Sequence, residues 1–565
     1  MKPLNRQTRN NLILYVLILF CNYNWAQQNQ TFNIISQFEP NVKNGNKLSS
    51  SPELPDTSVQ ETSLSLGILP NPSQFVINPE PIAAATLKPK PERLRPKALI
   101  SVGLAPIYLM PIISAHYASQ PNRNGMWGLS VSHVSADYKT DNTLLNNFSN
   151  TECAAYGIQH IKLLTLQPDF VYRRNINYFF NTSTNFALQV PEMDRESSIW
   201  QQMQTLAPSL ALQSHYTDST KINFNALARS QITQRNMLGS SEWEQNLLTH
   251  VKADRWINHE HVMTELTLNY LSYSPLNNAL VTNNFMGILN PYFNTCGKHW
   301  QSRVGFKLAV EHTRITAGAN TSPLTYIYPD LEASYALFPG WLNAQIKLYG
   351  NLHQTSMTQL YQTNNFISNQ VLLKNTNMPL RAEFKLDGKT RVKSDYGIQT
   401  AWTQYKNAIV FERNLKFERY MFDPTYKDYA ALSIRGYWQQ EFSLPITLHV
   451  SGEWYRYQAK KEIQLQYLPD YSLEFNVKYQ YSSKLSCSGI WYVLGRQQFI
   501  NYTQNKPPLP AWSDVNINLE YQHTRVLKYF FRLHNVINQN TYRWENYPQQ
   551  QFNFVFGASF NPLKS

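Results

Sequence analysis

The sequence is poor in charge and in glycine, and it lacks a long apolar run after its first residues. Charged residues make up 15% of the 565 residues, against about 25% in an average soluble domain. Only 20 glycines occur, which excludes glycine-rich repeats. Past residue 26 no apolar run reaches the length of about 18 residues that spans a bilayer as a helix. These shortages exclude a highly charged soluble surface and a bundle of transmembrane helices.

Cysteine is also scarce. Beyond the first residues only Cys153, Cys296 and Cys487 remain, and none belongs to a Cys-x-x-Cys pair. A disulfide scaffold and a thiolate zinc site therefore have no support. The glycine-rich phosphate loop, the Gly-x-Ser-x-Gly nucleophile motif and the His-Glu-x-x-His metal motif are missing as well. We predict no enzyme, no catalytic residue and no cofactor.

The first 26 residues have the organisation of a secretory signal. Three basic residues precede the nine-residue apolar core Leu12–Phe20, and Ala26 comes directly before a polar run. The core is too short to cross about 30 Å of hydrocarbon. We expect export and removal of residues 1–26. Residues 27–97 then hold ten of the 31 prolines and predict a mostly disordered periplasmic tether. A segment that enters the barrel mouth or binds a periplasmic partner is the alternative.

From residue 98 to residue 561, apolar and polar residues alternate with a period of two. One example is Val304, Phe306 and Leu308, which alternate with Arg303 and Lys307. Successive side chains of a strand point to opposite faces, so each segment has one apolar and one polar face. A soluble sandwich would turn the apolar face inward. Long segments, Asn/Gln/Ser-rich polar faces and aromatic residues near strand ends favour the opposite arrangement, with the apolar face in lipid.

We therefore predict an all-β fold, a transmembrane antiparallel β-barrel of about 14–22 strands, followed by a short tail over 562–565. The charged residues of the polar faces are the candidates for the barrel lumen: Arg303, Lys307, Glu311, Lys347, Arg381, Glu383, Lys385, Glu453, Glu474 and Lys478. Two long segments, 274–298 and 352–378, are expected to be extracellular loops. Shorter links at 217–219 and 339–340 are expected at the periplasmic end.

Two polar groups are candidate binding sites. His259, His261 and Glu265 share one predicted strand face, but a metal site needs a further ligand. Arg173 and Arg174 are adjacent, so only one of them can point into the lumen. Lumen polarity explains these residues without a ligand, and we predict no metal site.

The basic charge of the chain indicates partners. Removal of the three basic residues of the signal lowers the formal net charge from +13 to +10. A basic exported protein fits contact with anionic outer-membrane lipids and lipopolysaccharide. No cluster of Lys and Arg on a helix and no nucleic-acid motif is present, so nucleic acid is not expected as a partner.

The C-terminal segment resembles the closing strands of TonB-dependent-receptor-type barrels. It contains Asn535–Asn538, then a tyrosine-rich stretch, then a final strand of alternating aromatic residues. In that family the last strand is read by the barrel-assembly machinery, and the resemblance assigns this signal to Phe552, Phe554, Phe556 and Phe560. Residues 125–135 and 169–180 resemble the first strands of a plug-less subgroup. The resemblance implies a cell outer membrane location in a Gram-negative bacterium.

Residues 27–97 are too few and too proline-rich for the folded plug of true TonB-dependent transporters. Energised uptake through a plug is therefore not expected. Three functions remain: a structural component of an outer-membrane secretion or biogenesis assembly, a passive diffusion channel for small polar solutes, and an outer-membrane hydrolase. We favour the assembly component, with outer-membrane lipoproteins or other barrels as its candidate partners.

Overall fold

The computed structural model describes the chain from Ala98 to Pro562, with internal gaps. The predicted signal peptide, the predicted tether and residues 563–565 of the tail lie outside the described residues. The gaps are 137–138, 141–143, 146, 179–199, 217–220, 238–239, 258–259, 276–280, 316–321, 369–370, 391–392, 415–420, 464, 498–508, 540–541 and 546.

Twenty-two strands of the described chain form one antiparallel sheet. In chain order the strands are β1 (Ala98–Ala105), β2 (Met110–Ala118), β3 (Gly125–Ala136), β4 (Lys139–Thr140), β5 (Leu144–Leu145), β6 (Phe148–Ile161), β7 (Leu164–Tyr178), β8 (Trp200–Ser214), β9 (Asn223–Met237), β10 (Ser240–Ile257), β11 (Glu260–Ser274), β12 (Thr282–Cys296), β13 (Trp300–Ile315), β14 (Leu324–Phe338), β15 (Leu342–His353), β16 (Thr376–Lys389), β17 (Ser394–Arg413), β18 (Phe422–Glu441), β19 (Ile446–Ala459), β20 (Tyr471–Gln480), β21 (Leu485–Leu494), β22 (Trp512–Gln522), β23 (Leu527–His534), β24 (Tyr542–Trp544), β25 (Tyr547–Pro548) and β26 (Asn553–Phe560). The short pairs β4–β5 and β24–β25 lie outside the large sheet.

The sheet closes on itself. Strand β1 pairs with β2 on one side and with β26 on the other, so the first and last strands are neighbours. The predicted antiparallel β-barrel is thus confirmed, and its 22 strands stand at the upper end of the predicted range. Within the described residues, no helix is long and apolar enough to cross a membrane.

The apolar faces of the strands point away from the barrel axis. Phe306 is 50% exposed and Ile327 is 74% exposed, although both belong to long regular strands. On the opposite face of β13, Lys307 donates to the carbonyl of Gly350, and Ala309 is fully buried. A soluble sandwich would bury the large apolar side chains and expose the polar ones. This arrangement instead fits a barrel whose apolar outer face contacts lipid and whose polar inner face lines the lumen.

The links between strands differ in length at the two ends of the barrel. One rim carries the long links, among them 354–375, 495–511 and 535–552. The other rim carries short links such as 339–341 and 442–445, together with the start of β1 and the end of β26. The predicted short link at 339–340 lies on this second rim. The other predicted short link, 217–219, lies outside the described residues.

The prediction of a long loop over 274–298 is wrong. Strand β12 occupies most of this segment and pairs with both β11 and β13. Its asparagines and its proline suggested a loop, but Asn284 and Asn290 bond inside the barrel, to Thr313 and Asp330. Pro291 has no backbone N–H to donate. It is tolerated because the ladder between β12 and β13 has no residue pair at this position, so no ladder hydrogen bond is lost there.

Two glycines permit the close approach of the strands at the closing seam. Gly103 of β1 and Gly557 of β26 stand directly opposite each other, and the ring of Phe530 lies over both. A Cβ atom on Gly557 would lie 2.3 Å from the Val102 carbonyl oxygen and 2.3 Å from the Phe530 ring. Two residue pairs further on, the hydroxyls of Ser101 and Ser559 bond at 2.8 Å.

We expect Gly557→Ala to weaken barrel closure, because the added methyl group meets the backbone of β1 as well as the Phe530 ring, and the backbone cannot move aside. Overpacking of this kind costs about 1–3 kcal/mol. The measurement is the temperature at which the folded barrel loses its faster migration in a detergent gel. Gly436→Ala in β18 is the matched control, since nothing lies within 4 Å of its Cβ position. Equal unfolding temperatures for the two variants would contradict the role of the seam.

Candidate functional site

The link between β15 and β16 folds into the barrel mouth instead of extending away from it. We name this link, residues 354–375, the lid. It contains the helix α1 (Met357–Thr363), which is about two turns long. Ser356 caps the helix, and the Gln359 side chain returns to the Ser356 backbone, which forms a capping box. The Ser-x-x-Gln pattern therefore starts α1 at a fixed point on the lid.

A buried carboxylate of the barrel wall holds the start of α1. Glu244 of β10 accepts hydrogen bonds from the backbone N–H of Met357 and from the Thr358 backbone and hydroxyl. The Thr358 hydroxyl also bonds to Thr233 of β9 at 2.9 Å. The first N–H groups of a helix have no partner within the helix, so the carboxylate satisfies groups that would otherwise be left unpaired in a buried place.

A buried ion pair holds the second half of the lid. Arg235 of β9 and Glu242 of β10 are 1% and 2% exposed, and Arg235 Nη2 lies 2.6 Å from Glu242 Oε2. The same guanidinium donates to the carbonyls of Ile367 at 3.2 Å and Ser368 at 2.9 Å. One cation thus links two strands of the wall to the lid backbone.

Further hydrogen bonds join the lid to β7 and β8. The Asn177 side chain of β7 donates to the Tyr361 hydroxyl, and the Gln201 side chain of β8 donates to the carbonyl of Asn365. Burial raises the pKa of Tyr361 to about 12, against the opposing effect of the Asn177 hydrogen bond. The Tyr361 hydroxyl therefore stays protonated at neutral pH, and the uncharged phenol keeps its hydrogen bond from Asn177.

The lid also reaches the opposite part of the mouth. Ile367 forms a parallel bridge with Phe422 at the start of β18, and the Ser368 hydroxyl bonds to Asp423. The ring of Phe366 stacks on Tyr547 in the link between β23 and β26, with an angle of 14° between the rings. The lid is therefore fixed to three separate sectors of the barrel.

An apolar cluster fills the space between the lid and the surrounding wall. It combines buried side chains from the lid, from four barrel strands and from three other links of the long-link rim. Its members are Met203, Leu271, Tyr273, Met357, Leu360, Tyr361, Ile367, Val371, Leu373, Phe411, Phe422, Tyr467, Leu509, Trp544 and Tyr547. Packing of this kind makes the lid part of the folded mouth rather than a free loop.

The predicted lumen residues lie on β13, β15, β16, β19 and β20, on the faces opposite the exposed apolar side chains. On β16, Lys385 Nζ lies 3.1 Å from Asp387 Oδ1, and Arg381 pairs with Glu383. Lys347 pairs with a glutamate of β14 at 3.4 Å. Neighbouring charges of opposite sign therefore neutralise one another along this wall.

Strand β13 places three of the predicted residues in different surroundings. Arg303 lies over a tyrosine ring of β12, 4.5 Å from its centroid. Lys307 donates to a backbone carbonyl of β15. Glu311 accepts at 2.6 Å from Asn375 of the lid, which makes it the one predicted lumen residue that bonds to the lid among the described contacts.

The remaining predicted lumen residues lie apart from the lid contacts named above. Glu453 of β19 stands directly opposite Arg435 of β18. Glu474 and Lys478 lie four residues apart on one face of β20. Leu473 and Val477 lie on the other face of the same strand. The structure does not gather the ten residues into one site.

The other residues considered from the sequence are separated as well. His261 bonds to Asp254 at 2.8 Å, whereas Glu265 bonds to Tyr292 at 2.7 Å. His259 lies outside the described residues. In the described part of the chain, no group of three or more His, Cys, Asp or Glu could hold a metal ion. Arg173 pairs with Glu152 of β6, and both side chains are 44% exposed.

The aromatic residues of the last strand share one face, with one exception. Phe554, Phe556 and Phe560 alternate along β26, and Phe556 and Phe560 are exposed toward the lipid side. Phe552 precedes β26, and its backbone N–H bonds to Asn538. Recognition of these residues by the barrel-assembly machinery stays a prediction.

The residues that hold the lid were not among the sequence candidates. Arg235, Glu242 and Glu244 lie at strand ends that looked like ordinary polar faces. Their partner Met357 is 113 positions from Glu244, so no local pattern connects them. The capping box at Ser356 was the one signal in the sequence that marked ordered structure within the predicted loop.

Arg235→Met is expected to release the lid, because it leaves Glu242 charged and buried without a partner. Removing one member of a buried pair costs about 3–5 kcal/mol. The measurement is hydrogen exchange of the lid amides, those of α1 and of Ser368, in the detergent-solubilised protein, which should become much faster. Arg173→Met is the control, because an exposed pair contributes about 0–1 kcal/mol.

A double variant separates the charge effect from lost packing. In Arg235→Met/Glu242→Leu both charges are gone, and apolar replacement of a whole buried pair is often neutral. We expect its thermal stability to recover relative to the single variant. Unchanged α1 exchange in Arg235→Met would show that the ion pair does not hold the lid.

Comparison with known proteins supports the barrel fold. No protein-family description and no curated protein sequence matches this chain. Solved structures do match: the ferric-catecholate import receptor Fiu from E. coli K12 (10% identity, 82% of this chain and 81% of that chain, TM-score 0.61), the FrpB iron transporter from Neisseria meningitidis (9%, 83% and 82%, TM-score 0.65), and the copper transporter OprC (11%, 82% and 82%, TM-score 0.61).

At these identities the likeness concerns the fold. The neighbours are TonB-dependent receptors, in agreement with the resemblance of the terminal strands, and their names describe transporters and receptors rather than enzymes. The barrel fold agrees with the predicted outer-membrane location, which stays a prediction. The chain has the 22-strand barrel fold of outer-membrane TonB-dependent receptors.

Proposed function

We propose that this chain is an occluded outer-membrane barrel that acts as a structural component of a secretion or biogenesis assembly, without a folded plug. The observation that carries the proposal is the lid, which is fixed to the wall through Arg235, Glu242 and Glu244. A barrel with a closed mouth does not conduct solutes through its lumen. Its rims and outer surface are then the parts that can bind other proteins.

The energetics of the lid favour a permanent structure over a freely opening gate. Opening would strip Glu244 of its bonds to α1 and the Arg235 guanidinium of two lid carbonyls. Each buried polar group left without a partner costs about 1–3 kcal/mol, and more when it is charged. It would also expose the apolar cluster between lid and wall. These costs argue against a passive diffusion channel, in which the path must stay open.

The neighbours offer a further function for comparison. Fiu, FrpB and OprC are named for iron or copper transport. Uptake of such a cargo by this chain would need residues that bind it. We do not carry that function over to this chain, because a likeness at 9–11% identity concerns the fold.

Conductance in a planar bilayer tests the closed mouth. We expect the purified protein to be silent, and a variant with residues 356–368 replaced by a Gly-Ser linker to show steady channels. The matched control replaces residues 482–484, a turn on the opposite rim, by the same kind of linker and should stay silent. Steady conductance of the unmodified protein would favour the diffusion channel and contradict the proposal.

Purification from native membranes tests the assembly role. We expect an outer-membrane lipoprotein or a second barrel to remain bound in mild detergent at a fixed ratio to the chain. Crosslinking before solubilisation should capture the same protein. Recovery of the chain alone under both conditions would contradict the assembly role even if the mouth is closed.

A further inference from the structure

The two rims of the barrel differ in charge. Ten links join the strands at the rim that carries the short links, and their sequences contain eight Lys or Arg and one Asp. The eleven links of the long-link rim contain ten Lys or Arg and nine Asp or Glu. The long-link rim is therefore close to neutral, whereas the other rim, which we name the short-link rim, is strongly basic.

The basic residues of the short-link rim are spread around the whole barrel. The described residues of its links include no Asp or Glu. Because the strands follow one another around a closed sheet, the positive charges form a ring rather than a patch on one side. The ring consists of exposed residues in seven links, from the link β2–β3 to the link β22–β23: Arg123, Lys162, Lys221, Lys298, Lys393, Lys484 and Arg525.

Much of this charge is not neutralised by neighbouring carboxylates. Lys393 pairs with Glu441 at 3.3 Å, and both side chains are exposed. In the part of the chain that the structure describes, no carboxylate lies within 4 Å of four other members of the ring: Arg123, Lys162, Lys298 and Lys484. Like charges on one surface repel one another. Anions that lie against the short-link rim would therefore stabilise it.

Exposed apolar side chains stand beside these charges in the links themselves. Leu163 directly follows Lys162 and is 48% exposed, and Tyr481 in the link of Lys484 is 67% exposed. Five of the seven links have four residues or fewer, so these side chains stay next to the lipid-facing ends of the strands. Lysine and arginine lay their aliphatic stems along apolar surface and keep the charge in the polar region. The short-link rim thus has the composition of a membrane–water interface.

The ring shape favours a bilayer over a protein as the occupant. A protein partner of ordinary size contacts one sector of a 22-stranded barrel and leaves the basic links of the opposite sector unused. The headgroups of a leaflet surround the barrel on all sides at one depth, so they meet every basic link. Anionic headgroups attract basic residues at this boundary.

We propose that the short-link rim binds the headgroups of anionic phospholipids as a ring around the barrel. The ligand is a lipid phosphate in a headgroup with a net negative charge, as in phosphatidylglycerol. Phosphatidylethanolamine carries an ammonium group that cancels this charge, so the rim discriminates between the two lipids. The inference concerns the lipid boundary and depends neither on the lid nor on the assembly role.

Reconstitution of the full-length protein into vesicles tests the proposal. The vesicles contain phosphatidylethanolamine with phosphatidylglycerol as the minor lipid. After extraction in mild detergent, mass spectrometry of the intact protein–lipid complexes gives the ratio of the two lipids that stay bound. We expect phosphatidylglycerol to be enriched about three- to tenfold over the vesicle. Lys162→Gln/Lys298→Gln/Lys484→Gln should bring the bound ratio close to that of the vesicle.

Lys460→Gln/Lys461→Gln/Arg496→Gln is the matched control. It removes the same charge from exposed positions of the long-link rim and should keep the enrichment. A wash in about 1 M salt, where charges are screened beyond about 3 Å, should reduce the enrichment of the unmodified protein. The migration of each variant in a detergent gel shows that the barrel has formed.

Three results would overturn the proposal. The first is a bound lipid ratio of the unmodified protein equal to that of the vesicle, which is the result expected if an acidic protein is the occupant of the rim. The second is an equal loss of enrichment in the control variant and in the short-link variant. The third is an enrichment that the salt wash leaves unchanged, because exposed charges would then not be its cause.

Discussion

Every backbone N–H and C=O group in the hydrocarbon of a membrane must find its partner inside the protein, because lipid offers none. For a sheet this means that the first strand must meet the last. The pairing of β1 with β26 meets the requirement, and Gly103 and Gly557 allow the two strands to approach beneath the Phe530 ring. The alternation of side chains then follows, since a closed sheet has one face in lipid and the other around a lumen.

A lumen enclosed by 22 strands is too wide for wall side chains to fill. The chain fills the mouth with the lid, and the lid brings its own apolar core. Inside the mouth the usual rule of the barrel is therefore reversed: apolar side chains point inward and meet those of Leu360 and Ile367. The strands of this sector supply both the polar anchors and the apolar surface on which the lid packs.

The sequence analysis predicted the features that depend on short-range periodicity and missed those that depend on distant contacts. Alternation along β13 and β16 predicts strands because it is local. The segment 274–298 was misjudged because asparagine is common both in loops and on the wet face of a barrel. Arg235 and Ser368 are 133 positions apart, and nothing near either residue indicates that they meet.

The same limit applies to the candidate site. Ten charged residues were chosen because they share the polar face of a strand, and of these Glu311 contacts the lid through Asn375. The residues that hold the lid are instead nearly unexposed charges. Burial depends on what covers a strand, and here the cover is a link whose inward fold cannot be derived from its composition.

The strength of the lid contacts limits what could move it. To change a lid from almost always closed to almost always open, a ligand must bind the open state about 5.5 kcal/mol more tightly than the closed state. Opening would therefore require a large surface that binds the long-link rim, which is the kind of contact a protein partner makes. Under the proposed assembly role the lid stays closed, and the rim that it completes is the surface on which a partner would bind.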